Sequence, residues 1–136
     1  MNEFYLYVSS ASTTNHKNNC FNDFNITLPH QIHLKGYQWK VGVCDVTFKK
    51  GTVIPYFHLC SDLIESNFDS TSSVPIMRFV HRQETEVITS FANIYYSKVK
   101  NEFLDTIHFY LKSVGEVFPS LAETVFYCTL HFKRDG

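Results

Sequence analysis

A chain of 136 residues, 44% hydrophobic and 16% aromatic, is too apolar to be disordered. It is sized for one domain, residues 1–136, whose core needs no disulfide or metal staple. Its 12 basic and 13 acidic residues give a formal charge of −1, so no field of one sign argues for direct binding to nucleic acid or an anionic membrane.

In chain order, the dominant signal is period-two alternation broken by turn residues. Phe4, Leu6 and Val8 share one face of a first strand, with Tyr5 and Tyr7 on the other. Ser9 to Asn22 is polar and reads as a loop. Phe24, Ile26 and Leu28 alternate with Asp23, Asn25 and Thr27 in a second strand, which Pro29 is expected to end. Gly36 marks a turn before a long third strand, Tyr37 to Phe48. Its inward set slips from Trp39, Val41 and Val43 to Val46 and Phe48, the signature of a β-bulge.

After Lys49-Lys50-Gly51, a fourth strand runs from about Val53 to Ile64 with Phe57, Leu59 and Leu63 on one face. Glu65 to Ser73 is polar and loop-like. A fifth strand covers Pro75 to Arg82, with Met77, Phe79 and His81 on one side. Glu84 to Lys98 fits either one interrupted strand or a strand, turn and strand. Asp105 to Ser113 places Ile107, Phe109 and Leu111 inward and Thr106, His108, Tyr110 and Lys112 outward. Val114 to Ala122 reads as a loop with a helical turn near Pro119. The last strand, Glu123 to Arg134, alternates Phe126, Cys128, Leu130 and Phe132 against Val125, Tyr127, Thr129 and His131.

About eight strands and no convincing helix predict an all-β fold, an eight-stranded antiparallel single jelly-roll β-sandwich. In that topology the first and last strands are neighbours, so the two ends of the chain meet in one sheet. An immunoglobulin-like sandwich is the rival, but its Cys and Trp spacing is absent.

Cys20, Cys44, Cys60 and Cys128 form no CxxC pair, and Met1 to Tyr7 has no leader-like charge and apolar run. Free thiols in a reducing compartment are therefore expected, and Asn25-Ile26-Thr27 is read as strand rather than a glycosylation site. Cys128, flanked on its own face by Phe126 and Leu130, reads as an inert core thiol.

His16, His30, His33, His58, His81, His108 and His131 form neither HxH nor HExxH nor a zinc pattern, and read as exposed or interfacial imidazoles. His108 and His131 are expected on different sheets. Asp62, Glu65 and Asp69 fit a solvated turn better than a calcium loop. With no phosphate loop and no nucleophile elbow, the expectation is no catalytic residue, no metal, no cofactor and no enzyme.

Tyrosine on outward faces is the one recurrent surface feature. Tyr5, Tyr7, Tyr110 and Tyr127 alternate with core residues, and Tyr95 and Tyr96 lie near a sheet end. These six are the candidate subunit interface, because aromatic residues are enriched where subunits meet. The alternative is that one or two phases are misjudged, or that the rings simply cover a sheet.

Several segments carry a family resemblance. Phe4-Tyr5-Leu6 with Ser9-Ser10, Leu28-Pro29 through Ile32, Leu34, Trp39 and Val41-Gly42, and then Asp45-Val46-Thr47-Phe48 are similar to the opening of the penton-type minor capsid proteins of Maverick/Polinton elements and adintoviruses. Cys60-Ser61-Asp62-Leu63-Ile64, Val74-Pro75-Ile76-Met77-Arg78 and the closing Thr129-Leu130-His131-Phe132-Lys133-Arg134 resemble later stretches of the same family. Two departures stand out. Only Lys49 to Val53 joins the third and fourth strands, where that family has a large insertion, and Gly36-Tyr37-Gln38-Trp39 carries an extra residue.

The resemblance implies a structural virion protein, made in the host cell cytoplasm or nucleus and not secreted. It implies a homopentamer at icosahedral vertices, surrounded by a double-jelly-roll major capsid protein. The other reading is a host-domesticated or free-standing module that binds protein or glycan.

Overall fold

The computed structural model describes residues 2–11, 19–34, 36–48, 56–68, 73–81, 88–113 and 125–135. The strands are β1 (Glu3–Ser9), β2 (Asp23–His33), β3 (Gln38–Phe48), β4 (Tyr56–Ser61), β5 (Asn67–Phe68), β6 (Ser73–Val74), β7 (Ile76–His81), β8 (Ile88–Ser90), β9 (Tyr96–Lys98), β10 (Phe103–Ser113) and β11 (Phe126–Asp135). No helix occurs among the described residues. One sheet runs β1-β11-β3, with β8 and β9 both on the far edge of β3. The second runs β2-β10-β4-β7, and β5-β6 is a separate small hairpin. Every pairing is antiparallel.

The two larger sheets form a β-sandwich because each has one apolar face, and those faces meet. Phe48 of β3 and Phe126 of β11 pack at 5.2 Å, and Phe57 of β4 in the other sheet meets Phe48 edge-on at 5.6 Å. Phe24 of β2 reaches Phe126 at 6.1 Å. Burying each such ring contributes roughly 2–3 kcal/mol from area alone. The alternation in β10 and β11 is as expected, with Ile107, Phe109 and Leu111, and Phe126, Cys128, Leu130 and Phe132, all buried. All four cysteines are free. Burial, and then the nearby Asp45 and Cys44, push the Cys128 thiol far up, which fits an unreactive core thiol.

The expected slip in β3 is present: Leu130 pairs with Val43 and Thr129 with Asp45, leaving Cys44 as the extra residue. The first and last strands pair over seven residues, Glu3↔Lys133 to Ser9↔Tyr127. The stretch from Ile88 to Lys98 is the interrupted strand of the two readings. β8 and β9 run in the same direction along one edge of β3.

Three expectations need correction. β2 does not end at Pro29 but continues to His33. The pairing jumps from Thr27↔Thr106 to Ile32↔Leu104, so Pro29 lies in a bulge on an edge strand, where its missing N–H costs no ladder bond. The polar stretch after Ile64 contains the β5-β6 hairpin. Phe79 and His81 do not share the inward side of Met77. Leu59 pairs with Arg78 and Cys60 with Ile76, so Met77 is an extra residue and Val80 turns inward instead. Among the described residues the strands form eleven segments, because the edge of β3 is split and the β5-β6 hairpin is added. Residues 53–55 and 114–122, assigned to a strand and a loop above, lie outside the described residues.

Candidate functional site: the tyrosine-bearing sheet faces

Strand register brings four residues into one row across the outer face of the first sheet: Tyr5, His131, Gly42 and Tyr96. Gly42 is what makes the row close. A Cβ there would run into the Ile94 side chain, with the Tyr95 carbonyl at 2.9 Å and the Tyr96 ring at 3.2 Å. With only hydrogen at that point, Tyr96 crosses over β3, and its hydroxyl shares a 2.7 Å hydrogen bond with His131 Nδ1. The Tyr5 ring stacks on the imidazole from the other side at 4.7 Å and 23°. Lys133 Nζ sits 3.9 Å above the Tyr96 ring.

His131 is only 9% exposed although it points away from the core. Of the two readings, exposed or interfacial, the exposed one does not hold for His131. The neighbouring rings bury it. Its Nε2 lies 3.3 Å from Glu3 Oε2, yet the approach is too poorly aligned to count as a hydrogen bond. Desolvation, and after it the Cys44, Tyr5 and Glu3 groups, raise the Tyr96 hydroxyl above the usual phenol range. Tyr96 is thus a neutral donor or acceptor here, and the row is a preordered aromatic platform.

Tyr7 and Tyr127 extend this platform. They flank the Tyr7↔Thr129 and Ser9↔Tyr127 pairs and are 77% and 44% exposed. Four of the six candidate tyrosines, Tyr5, Tyr7, Tyr96 and Tyr127, therefore share one face. Tyr110 does not join them. It lies half-buried on β10 in the other sheet, opposite Cys60, and desolvation followed by Cys60 and Asp23 raises its hydroxyl. Tyr95 is exposed in the break between β8 and β9. The Arg78 guanidinium, from β7 of the second sheet, lies 4.3 Å over its ring and 4.0 Å over Phe91, and donates to the Asn93 carbonyl at 2.6 Å. Arg78 thereby ties the interrupted edge of one sheet to the other sheet.

Sequence reasoning missed a second aromatic patch. Tyr56 stacks on His81 at 4.7 Å and lies 6.4 Å from Phe79, whose ring meets His58 edge-on at 5.5 Å. The available signal was Val80. Apolar residues three apart at Met77 and Val80 repeat the slip already visible between Val43 and Val46.

Among the described residues, no three His, Cys, Asp or Glu side chains converge as a metal ion would require. His108 and His131 lie on different sheets. His108 Nε2 meets Asp23 Oδ1 at 2.7 Å, and Asp62 accepts a bond from the His108 N–H. His16 and Asp69 lie outside the described residues. Asn25, in β2, is tied through its backbone to the Asn19 side chain. An open depression of about 520 Å³ at the start of β10 is lined by Lys100, Asn101, Glu102, Phe103, Asp105 and Thr106, and none of the candidate tyrosines enters it.

Fold and surface together define a class: an antiparallel β-sandwich that presents ordered aromatic side chains on its outer faces. No family model matches the chain, and no curated protein matches it.

Proposed function

We propose that the chain is a structural virion protein, the vertex minor capsid subunit of an icosahedral shell, folded as an eight-stranded single jelly roll. One observation carries the fold part of this reading. Counting β8 and β9 as one edge strand, and β5-β6 as an excursion, leaves eight strands. They pair first with last, second with seventh, third with sixth, and fourth with fifth. That nesting is what results when one long antiparallel hairpin is rolled into two facing sheets. The capsid part rests on the sequence resemblance. Its quoted segments at Phe4–Leu6, Trp39–Phe48 and Thr129–Arg134 fall on β1, β3 and β11, three adjacent strands of the first sheet.

On this reading the chain is not an enzyme and needs no cofactor. It assembles as a homopentameric ring, embedded in a major capsid protein of double jelly-roll type. The tyrosine-bearing faces supply desolvated contact area with little side-chain entropy to lose. Electron micrographs of the concentrated protein should show rings, alone or with the major capsid protein. A strictly monomeric protein, whose removal leaves capsid composition unchanged, overturns the proposal.

A further inference from the structure

We infer that β1 is a self-complementary docking edge, through which two copies of this chain pair antiparallel about a twofold axis at Leu6.

The two larger sheets have four outer edges, and three are broken. The β8/β9 edge is interrupted from Phe91 to Tyr95. The β2 edge bulges around Pro29, and β7 has an extra residue at Met77. Such irregularities are how sheets avoid edge-to-edge pairing. β1 has none of them. Its register with β11 is unbroken from Glu3 to Ser9, and it contains no proline, glycine, lysine or arginine.

The outward hydrogen-bonding groups of β1 follow from the ladder. Ser10 N–H donates to the Phe126 carbonyl at 2.9 Å, and Arg134 N–H donates to the Asn2 carbonyl at 3.1 Å. Even-numbered residues of β1 therefore bond to β11. In an antiparallel ladder the odd ones, Glu3, Tyr5, Tyr7 and Ser9, then aim their N–H and C=O away from it. Among the described residues no strand covers that side.

The occupant follows from the strand's own symmetry. Around Leu6, the sequence Glu3-Phe4-Tyr5-Leu6-Tyr7-Val8-Ser9 reads much the same in both directions. A second copy of β1, antiparallel and centred on Leu6, uses all seven residues. It sets Tyr5 opposite Tyr7 of the partner subunit and Glu3 opposite Ser9 of the partner subunit. Those are odd-numbered pairs, so about eight backbone hydrogen bonds form. On the outer face the tyrosines make a four-ring ladder, the kind of cross-strand aromatic pairing that stabilises sheets. On the inner face Phe4 meets Val8 of the partner subunit, and the two Leu6 side chains meet each other. Phe4 and Leu6 are only partly buried in one copy, although their β11 neighbours Phe132 and Leu130 are fully buried. Pairing would cover that exposed margin.

A twofold contact cannot close a fivefold ring, so this edge is distinct from the ring contact proposed above. It joins copies two by two, before assembly or between rings.

Amide hydrogen exchange of the full chain at low and high concentration tests it. The amides of Glu3, Tyr5, Tyr7 and Ser9 should become protected as concentration rises, by tenfold or more. The same protection should be lost in Tyr7→Lys. In a Cys20→Ser, Cys44→Ser background, Leu6→Cys should form a covalent dimer under mild oxidation. The wide antiparallel pair at the axis has the Cα spacing a disulfide needs. Four amides that exchange freely at every concentration overturn the inference, as does a folded Leu6→Cys chain that never cross-links. Rings that form while those amides stay unprotected overturn the strand pairing and leave the capsid reading intact. Protected amides in a particle that never exceeds two copies do the reverse.

Discussion

Tyr96 and His131 share a 2.7 Å hydrogen bond that spans a whole strand, because Gly42 lies between them in the row. The bond gives a largely buried imidazole its hydrogen-bond partner. Tyr96→Phe should therefore cost about 1–2 kcal/mol, the penalty of leaving one buried polar atom unpaired. Urea unfolding of Tyr96→Phe, His131→Ala and the double variant measures the coupling. Additive losses would show that the bond contributes nothing.

Gly42→Ala should be worse than its size suggests. The new Cβ collides with the Ile94 side chain and the Tyr95 carbonyl, which lie in the break between β8 and β9 directly over β3. A loss of about 1–3 kcal/mol is expected, the usual range for overpacking. Loss of the protected β9 amides in hydrogen exchange should accompany it.

Stability should fall on the alkaline side. Cys44, Tyr96, Tyr110 and Cys128 all hold their protons more tightly in the fold than in the open chain. Below about pH 8.5 both states are protonated and these groups add no slope. Above it, the unfolded chain loses thiol and then phenol protons that the folded chain keeps, so the balance shifts to the unfolded state. Denaturation midpoints between pH 7 and pH 10.5 check this, and Cys128→Ala should flatten the slope.

Arg78→Lys should not rescue Arg78→Ala. A planar guanidinium lies over both Phe91 and Tyr95, and an ammonium cannot reproduce that double contact. Both variants should lose about 1 kcal/mol, the scale of cation–π contacts at partly exposed sites. Faster amide exchange across residues 91–95 is the local readout.

Val80→Ala and Phe79→Ala separate the two possible phases of β7. Val80 is fully buried, whereas Phe79 is 48% exposed. Val80→Ala should cost about 1–3 kcal/mol and Phe79→Ala under 1 kcal/mol, as core and surface truncations differ. The reverse order would put Phe79 on the same side of β7 as Met77, as simple alternation expects.

Much of this fold is legible in the chain itself. The all-β character, the inward faces of β1, β10 and β11, and the Cys44 bulge all follow from local alternation. A strand half-buried on a pleated sheet has to show period two, and one extra residue has to break it. Tyr5, Tyr7 and Tyr127 were legible as outward positions for the same reason.

What alternation cannot report is which residues become neighbours across strands. Tyr5, Gly42, Tyr96 and His131 are scattered along the chain and meet only because β1, β11, β3 and β9 pair in one register. That register buries His131 on a face that faces outward, and it sends Tyr110 to the other sheet. The bulge at Met77 turns Phe79 outward, because the pairing of β7 with β4 overrode the local pattern. The sequence by itself determined which side chains point into the core wherever a strand keeps its regular alternation. Tertiary structure alone decided which of them touch, since contacts between distant segments are set by ladder register rather than by any local preference.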